Sequence, residues 1–179
     1  MIISLVGYRG TGKSLLAGML AQRLHARAVD SDRVIEERAG CSIAEIFARS
    51  GEAEFRRLEA EAIAELCGHD GLIIATGGGA ILNADTRKRL QQAGPVIWLT
   101  AEVSEIARRM RSDETSAASR PALTDLNFEE EIRSLLEQRE PLYRDVSDFE
   151  VATTNRDPES LVDEILSRIN GTAAKDDAQ

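Results

Sequence analysis

Residues 7–14 read GYRGTGKS, directly behind the apolar run Ile2, Ile3, Ser4, Leu5, Val6 and ahead of a helical pattern. The spacing G-x-x-x-x-G-K-[ST] between a short buried strand and a helix constrains the chain to a phosphate-binding loop at the edge of an α/β sheet. The glycines let successive backbone N–H groups point at phosphate oxygens, and the following helix adds the positive end of its dipole. Lys13 supplies a mobile positive charge for the β- and γ-phosphates, and Ser14 a hydroxyl ligand for Mg2+. Gly10, Thr11, Gly12, Lys13, Ser14 and Leu15 are therefore the expected contacts to a nucleoside triphosphate. Leu15 carries no hydroxyl, where many such loops have one, so a contact to the α-phosphate is expected to be missing.

Such a loop does not say whether the γ-phosphate is discarded as a signal or handed to an acceptor. A GTP switch needs a base-reading N-K-x-D and a γ-phosphate-sensing D-x-x-G, and neither occurs; Asn155–Pro158 reads NRDP. The pattern favours a kinase with a small acceptor. The net charge of −9 argues against non-specific binding to nucleic acid or an anionic membrane. A site for an anionic nucleotide must then be built from locally placed cations. Two cysteines, Cys41 and Cys67, have neither metal-ligand spacing nor a disulfide framework, and His25 and His69 are isolated. The N-terminus enters a strand without a basic leader, and no apolar run approaches a membrane span, so a cytoplasmic location is expected.

The 179 residues suit one domain, over about 1–170. Five β-type runs stand out: Ile2–Val6, Arg27–Asp30, Leu72–Thr76, Val96–Thr100 and Phe149–Thr153. Several are nearly all apolar, as parallel strands covered on both faces are. Helical patterns lie between them, at Lys13–His25, Ile43–Arg49 with a Ser42–Glu45 capping box, and Gly51–Cys67. Asn127 is placed to cap a helix over Phe128–Arg139, and Pro158 opens a last one through Ile169. Ser112–Thr124 reads as a mobile loop, and Gly171–Gln179 as a frayed, disordered tail.

The acceptor side is spread along the chain. The second strand ends AVDSD, and on an extended backbone Asp30 and Asp32 would point the same way off the carboxyl edge of the sheet. One carboxylate could hold the water shell of Mg2+ and the other the attacking hydroxyl. An alternative in which Ser31 or Asp32 merely caps the next helix stays open. FRRLE at 55–59 puts Arg56 one helical turn from Glu59, which would orient it toward an anionic group. ATGGGA at 75–80 places three glycines straight after a strand, where they provide no packing and let backbone approach a ligand closely.

Taken together, GYRGTGKS, DSD, FRRLE, TGGG, SRPAL and QREPLY resemble, in order and to about residue 169, the shikimate kinase family. The resemblance implies a three-layer P-loop kinase fold of the nucleoside-monophosphate-kinase type. Its sheet would have five parallel strands in the order 2-3-1-4-5. It also implies transfer of the ATP γ-phosphate to the 3-hydroxyl of shikimate, dependent on Mg2+.

Residue by residue, the resemblance implies that Ser14 and, through water, Asp30 serve the metal, and that Asp32 binds acceptor hydroxyls as base or orienting group. Arg56 and Arg139 would clamp the shikimate carboxylate, with Gly77, Gly78 and Gly79 lining the pocket through backbone. The acceptor-binding region would span about 31–60. Arg120 would swing in on a lid at about 112–124, joining Lys13 and Asp32 as the catalytic set, while Arg111 and Arg156 would lie against adenine. ATP and shikimate are then the expected partners of a monomer that binds neither nucleic acid nor membrane. The alternatives are a gluconate-type sugar-acid kinase and a nucleotide-binding regulator without catalysis. TGGG with FRRLE favours shikimate over gluconate, and retention of Lys13, Ser14, Asp30, Asp32 and Arg120 speaks against the regulator.

Overall fold

The computed structural model describes residues 1–112 and 128–176, with side chains described as far as Gly171. Five strands form the sheet: β1 (Ile2–Val6), β2 (Arg27–Asp30), β3 (Leu72–Ala75), β4 (Val96–Thr100) and β5 (Phe149–Ala152). All neighbouring pairs are parallel and the order is β2-β3-β1-β4-β5, as the resemblance implies. Between and after the strands run α1 (Lys13–Leu24), α2 (Ser31–Ala39), α3 (Ile43–Leu66), α4 (Ala84–Ala93), α5 (Val103–Ser112), α6 (Phe128–Val146) and α7 (Pro158–Asp176). No helix among the described residues is long and apolar enough to cross a membrane.

The nearly all-apolar runs of β1, β3 and β4 follow from helices covering both faces of the sheet. Strand period two divides the side chains between the faces. Ile3, Leu5, Ile73, Ile97 and Leu99 pack with Leu16 and Leu20 of α1 and Leu161, Val162 and Ile165 of α7. On the other face, Val6, Val96 and Trp98 meet Ile63, Leu90, Tyr143 and Val146. The central β1 is buried throughout, whereas the edge strand β2 is half exposed. The result is three layers.

Two helices, α6 and α7, run past the ends expected from the sequence, whereas α3 follows it. The two expected segments, Ile43–Arg49 and Gly51–Cys67, are both present and abut within α3 at a kink at Gly51, whose φ of 78° and ψ of 177° are not helical. The capping box at its start is present, with Ser42 N–H donating to Glu45 at 2.9 Å and Glu45 N–H to Ser42 Oγ at 3.3 Å. The helix expected to stop at Arg139 runs on to Val146 through Pro141. Burial of Tyr143 and Val146 in the core outweighs the backbone bond that proline removes. The last helix continues to Asp176, past the Gly171 at which a tail is expected. Arg120, Asn127 and the lid beyond Ser112 lie outside the described residues.

Strand order places the site. The connection after β1 leads to one side of the sheet and that after β3 to the other, so their carboxyl ends form the switch point where ligands bind in open α/β sheets. GYRGTGKS follows β1 and TGGG follows β3. The loops touch: a Cβ at Gly78 would lie 3.5 Å from Arg9 N and 3.6 Å from Gly7 O.

Candidate active site

The phosphate loop opens into α1 with no side-chain cap and no acidic residue in the first turn. The orphan N–H groups of that turn are therefore available to an anion. Lys13 is buried, and its ammonium donates to the carbonyls of Gly7 and Tyr8, both at 2.8 Å. Burial lowers its pKa from 10.5 to about 8, against the pull of Asp32 and Asp30. Ser14 Oγ donates to Asp30 Oδ2 at 2.7 Å. Among the described residues no group of three or more His, Cys, Asp or Glu gathers as a metal cage. The Ser14 hydroxyl and the Asp30 carboxylate are hard oxygen donors beside a phosphate loop, a set that fits a divalent ion keeping part of its water shell.

The two aspartates are brought together, though not as an extended strand would show them. β2 ends at Asp30, and Asp32 lies in the first turn of α2. Asp30 is the helix cap, its Oδ1 accepting the N–H of Asp32 at 3.0 Å. Ser31, fully buried, accepts the Gly77 N–H at 2.9 Å and so ties the turn to the TGGG loop. That local capping chemistry wins over strand continuation. Asp30 consequently faces Ser14, while Asp32 turns toward Gly77. Burial and then the Asp30 charge raise the pKa of Asp32, opposed by Lys13 and Arg9.

The three glycines meet three different functional groups. A Cβ at Gly77 would lie 2.5 Å from Asp32 Oδ1 and 2.8 Å from Glu59 Oε1. A Cβ at Gly79 would stand 2.6 Å from Arg56 Nη2, overlapping the guanidinium. The Gly78 carbonyl accepts from Arg139 Nη1 at 3.2 Å and from the Tyr143 hydroxyl at 2.6 Å. Arg56 is fixed by Glu59, Nη1 to Oε2 at 2.7 Å, and by Glu52, Nη2 to Oε1 at 3.1 Å. Glu59 is 4% exposed; burial raises its pKa, and the bond to Arg56 works the other way. Its Oε1 and Asp32 Oδ1 are buried without a hydrogen-bond partner. Two cations, bare backbone and two carboxylates thus border one small volume beside Lys13.

A cavity of about 480 Å³ opens on the other side of the loop, bordered by Leu15, Arg108, Arg109, Asn155, Arg156 and Pro158. Leu15 is 58% exposed there, an apolar surface at its mouth. Arg156 borders this cavity, held by Glu164 at 2.6 Å. Arg111 does not: its guanidinium lies over the Phe128 ring, 5.4 Å from the centroid. Two residues along a helix turn the side chain by about 200°, so Arg109 rather than Arg111 faces the loop. The sequence reading missed Arg108, Arg109 and Tyr143. For Arg109 a signal existed in its i,i+4 pairing with Glu105. For Tyr143 it was masked by Pro141.

The family model for shikimate kinase matches residues 9–170. A shikimate kinase of Rhodopirellula baltica is 43% identical over 162 residues, covering 90% of this chain and 87% of that one. The solved structure of the shikimate kinase from Acinetobacter baumannii in complex with shikimate superposes with a TM-score of 0.88 at 37% identity, covering 96% of this chain and 93% of the other. A gluconokinase from Sinorhizobium meliloti, at 15% identity and a TM-score of 0.60 over 97% of this chain and 93% of its own, shares the fold alone.

Proposed function

The chain belongs to the shikimate kinase family, and we propose that it transfers the γ-phosphoryl group of ATP to the 3-hydroxyl of shikimate, with Mg2+ as the divalent ion. The observation that carries this reading is the convergence of Asp32, Arg56 and Arg139 on Gly77–Gly79, next to Lys13. An anionic cyclic polyol suits a volume bordered by guanidinium groups, carboxylates and open backbone.

In this reading Arg56 and Arg139 bind the acceptor carboxylate, the first held in register by Glu59. Asp32 accepts a hydrogen bond from the attacking hydroxyl and aligns it for in-line displacement. Lys13 leaves the carbonyls of Gly7 and Tyr8 for the β- and γ-phosphates, and its positive charge is favoured once they arrive. Ser14 and Asp30, the latter through water, would hold Mg2+, which would supply charge neutralisation at the transferring group. The cavity bordered by Leu15, Arg109, Arg156 and Pro158 takes the adenine. Arg120 adds charge to the phosphates from the lid, which excludes water from the transfer.

The same reading gives a cytoplasmic monomer acting on two small molecules. It is tested by ATP-dependent product formation with shikimate and gluconate offered in parallel. Phosphorylation of shikimate at the 3-hydroxyl is expected, and turnover of gluconate alone would overturn the assignment.

A further inference from the structure

The guanidinium of Arg109, on α5, is spread over three parts of the fold. Its Nε meets Glu105 Oε1 at 2.6 Å, one turn back on the same helix. Nη1 donates to the Gly10 carbonyl and to Thr153 Oγ1, both at 3.1 Å, and Nη2 donates to the Thr153 carbonyl at 3.1 Å. Thr153 is itself buried and fixed, with its N–H and its hydroxyl both donating to Thr100 O at 2.8 and 3.0 Å. A strand end, a helix and the phosphate loop are thus joined by one planar cation, a geometry that a lysine ammonium does not reproduce.

The bond to Gly10 acts on backbone and has a directional consequence. The peptide between Gly10 and Thr11 is trans, so its carbonyl and its N–H point opposite ways. A carbonyl anchored toward Arg109 turns the Thr11 N–H away from α5 and keeps it there. Gly10 sits at φ +76°, and a Cβ on it would lie 3.2 Å from Ile106 O and 3.3 Å from Met110 Cγ. The helix therefore packs against the same residue whose carbonyl it holds. Without that anchor, a glycine peptide has several orientations open to it.

We propose that Arg109 is a positioning residue for the phosphate loop, holding the Gly10 carbonyl outward so that the loop N–H donors are preset for the polyphosphate. This rests on the reading of the loop as an ATP site and extends it. A side chain at the base cavity governs affinity for the phosphates, through the backbone and independently of the base.

Inorganic tripolyphosphate with Mg2+ is the discriminating probe, since it carries neither base nor ribose. Calorimetric titration of the full chain is expected to show tripolyphosphate affinity lowered about tenfold in Arg109→Gln and about equally in Arg109→Lys, which keeps the charge and loses the fork. The Gly10 and Thr11 amide resonances of the free protein should shift in both variants. Thr153→Val, which removes one acceptor and conserves shape, should lower the affinity less and in the same direction; it also serves if the Arg109 variants fold poorly. Unchanged tripolyphosphate affinity in Arg109→Gln alongside weakened ATP binding would assign Arg109 to the base alone and overturn the proposal. Wild-type affinity in Arg109→Lys would overturn it in favour of simple charge. A wild-type protein that bound neither ATP nor tripolyphosphate would instead overturn the ATP reading itself, and the proposal with it.

Discussion

Asp32 and Glu59 each turn one buried, unpartnered carboxylate oxygen toward the same point beside Gly77, where a Cβ would stand 2.5 Å from the first and 2.8 Å from the second. Two carboxylates in one desolvated volume repel each other and carry a large solvation penalty. Lys13, Arg9, Arg56 and Arg139 offset part of it. Such an arrangement is costly to the free protein and useful to a ligand that brings hydroxyl donors. It also leaves no room for a side chain at position 77 unless both carboxylates move.

Gly77→Ala should therefore fold, because the atoms in the way are the ends of side chains, yet displace Asp32 and Glu59 from the site. We expect kcat to fall roughly a hundredfold, the cost of a misplacement of about 1 Å in aligned reactants. The Michaelis constant for ATP should change little. Steady-state kinetics together with a thermal melt check this, and wild-type kcat in a folded variant would contradict it.

Arg56→Ala removes one partner of a pair whose side chains are 22% and 5% exposed. It leaves Glu59 buried without its cation, and shikimate binding should weaken by about 2–5 kcal/mol. Calorimetric titration with shikimate in the absence of nucleotide measures this directly. An effect confined to the Michaelis constant for ATP would remove Arg56 from the acceptor site.

Much of this site is legible in the sequence, for identifiable reasons. GYRGTGKS and TGGG are contiguous motifs at strand ends, and the nearly all-apolar central strands reveal a doubly covered parallel sheet. Arg56 and Glu59 are one helical turn apart, so local periodicity alone brings them together. What escapes is decided by competition or by distance. Asp30 and Asp32 look like neighbours on a strand until Asp30 caps α2 and bends the chain. Tyr143 lies behind a proline that signals a helix end, and only tertiary burial carries the helix past it. Arg109 and Arg111 are equivalent in composition; the packing of α5 on Gly10 selects between them.

Lys13 makes stability depend on pH with a definite sign. Its folded-state pKa, about 8, lies below the 10.5 of the free side chain. Between these values the unfolded chain binds more protons at this position, so stability rises with pH across the window, by up to ~1.4 kcal/mol per unit. Below about pH 8 both states are protonated and the penalty for the buried charge is full. The destabilisation of nucleotide-free wild type relative to Lys13→Met should accordingly shrink between pH 8 and pH 10.5. Denaturant titrations of both proteins across that range test it; a constant difference would show that Lys13 titrates normally.

Asp32→Asn separates chemistry from nucleotide binding. The substitution conserves size beside Gly77 and retains one oxygen, but an amide is a far weaker acceptor for a hydroxyl proton than a carboxylate. It also removes a negative charge that favours protonated Lys13. The arriving polyphosphate itself favours the charged form of Lys13, so affinity for ATP should remain within a few-fold of wild type while kcat falls by about 10²–10⁴, the range for loss of a general base. If Asp32 only orients the hydroxyl, the amide oxygen still accepts one hydrogen bond and the loss should lie at the low end. Single-turnover phosphorylation with saturating ATP and shikimate distinguishes the two, because product release does not enter. Retained single-turnover rates would remove Asp32 from the reacting centre.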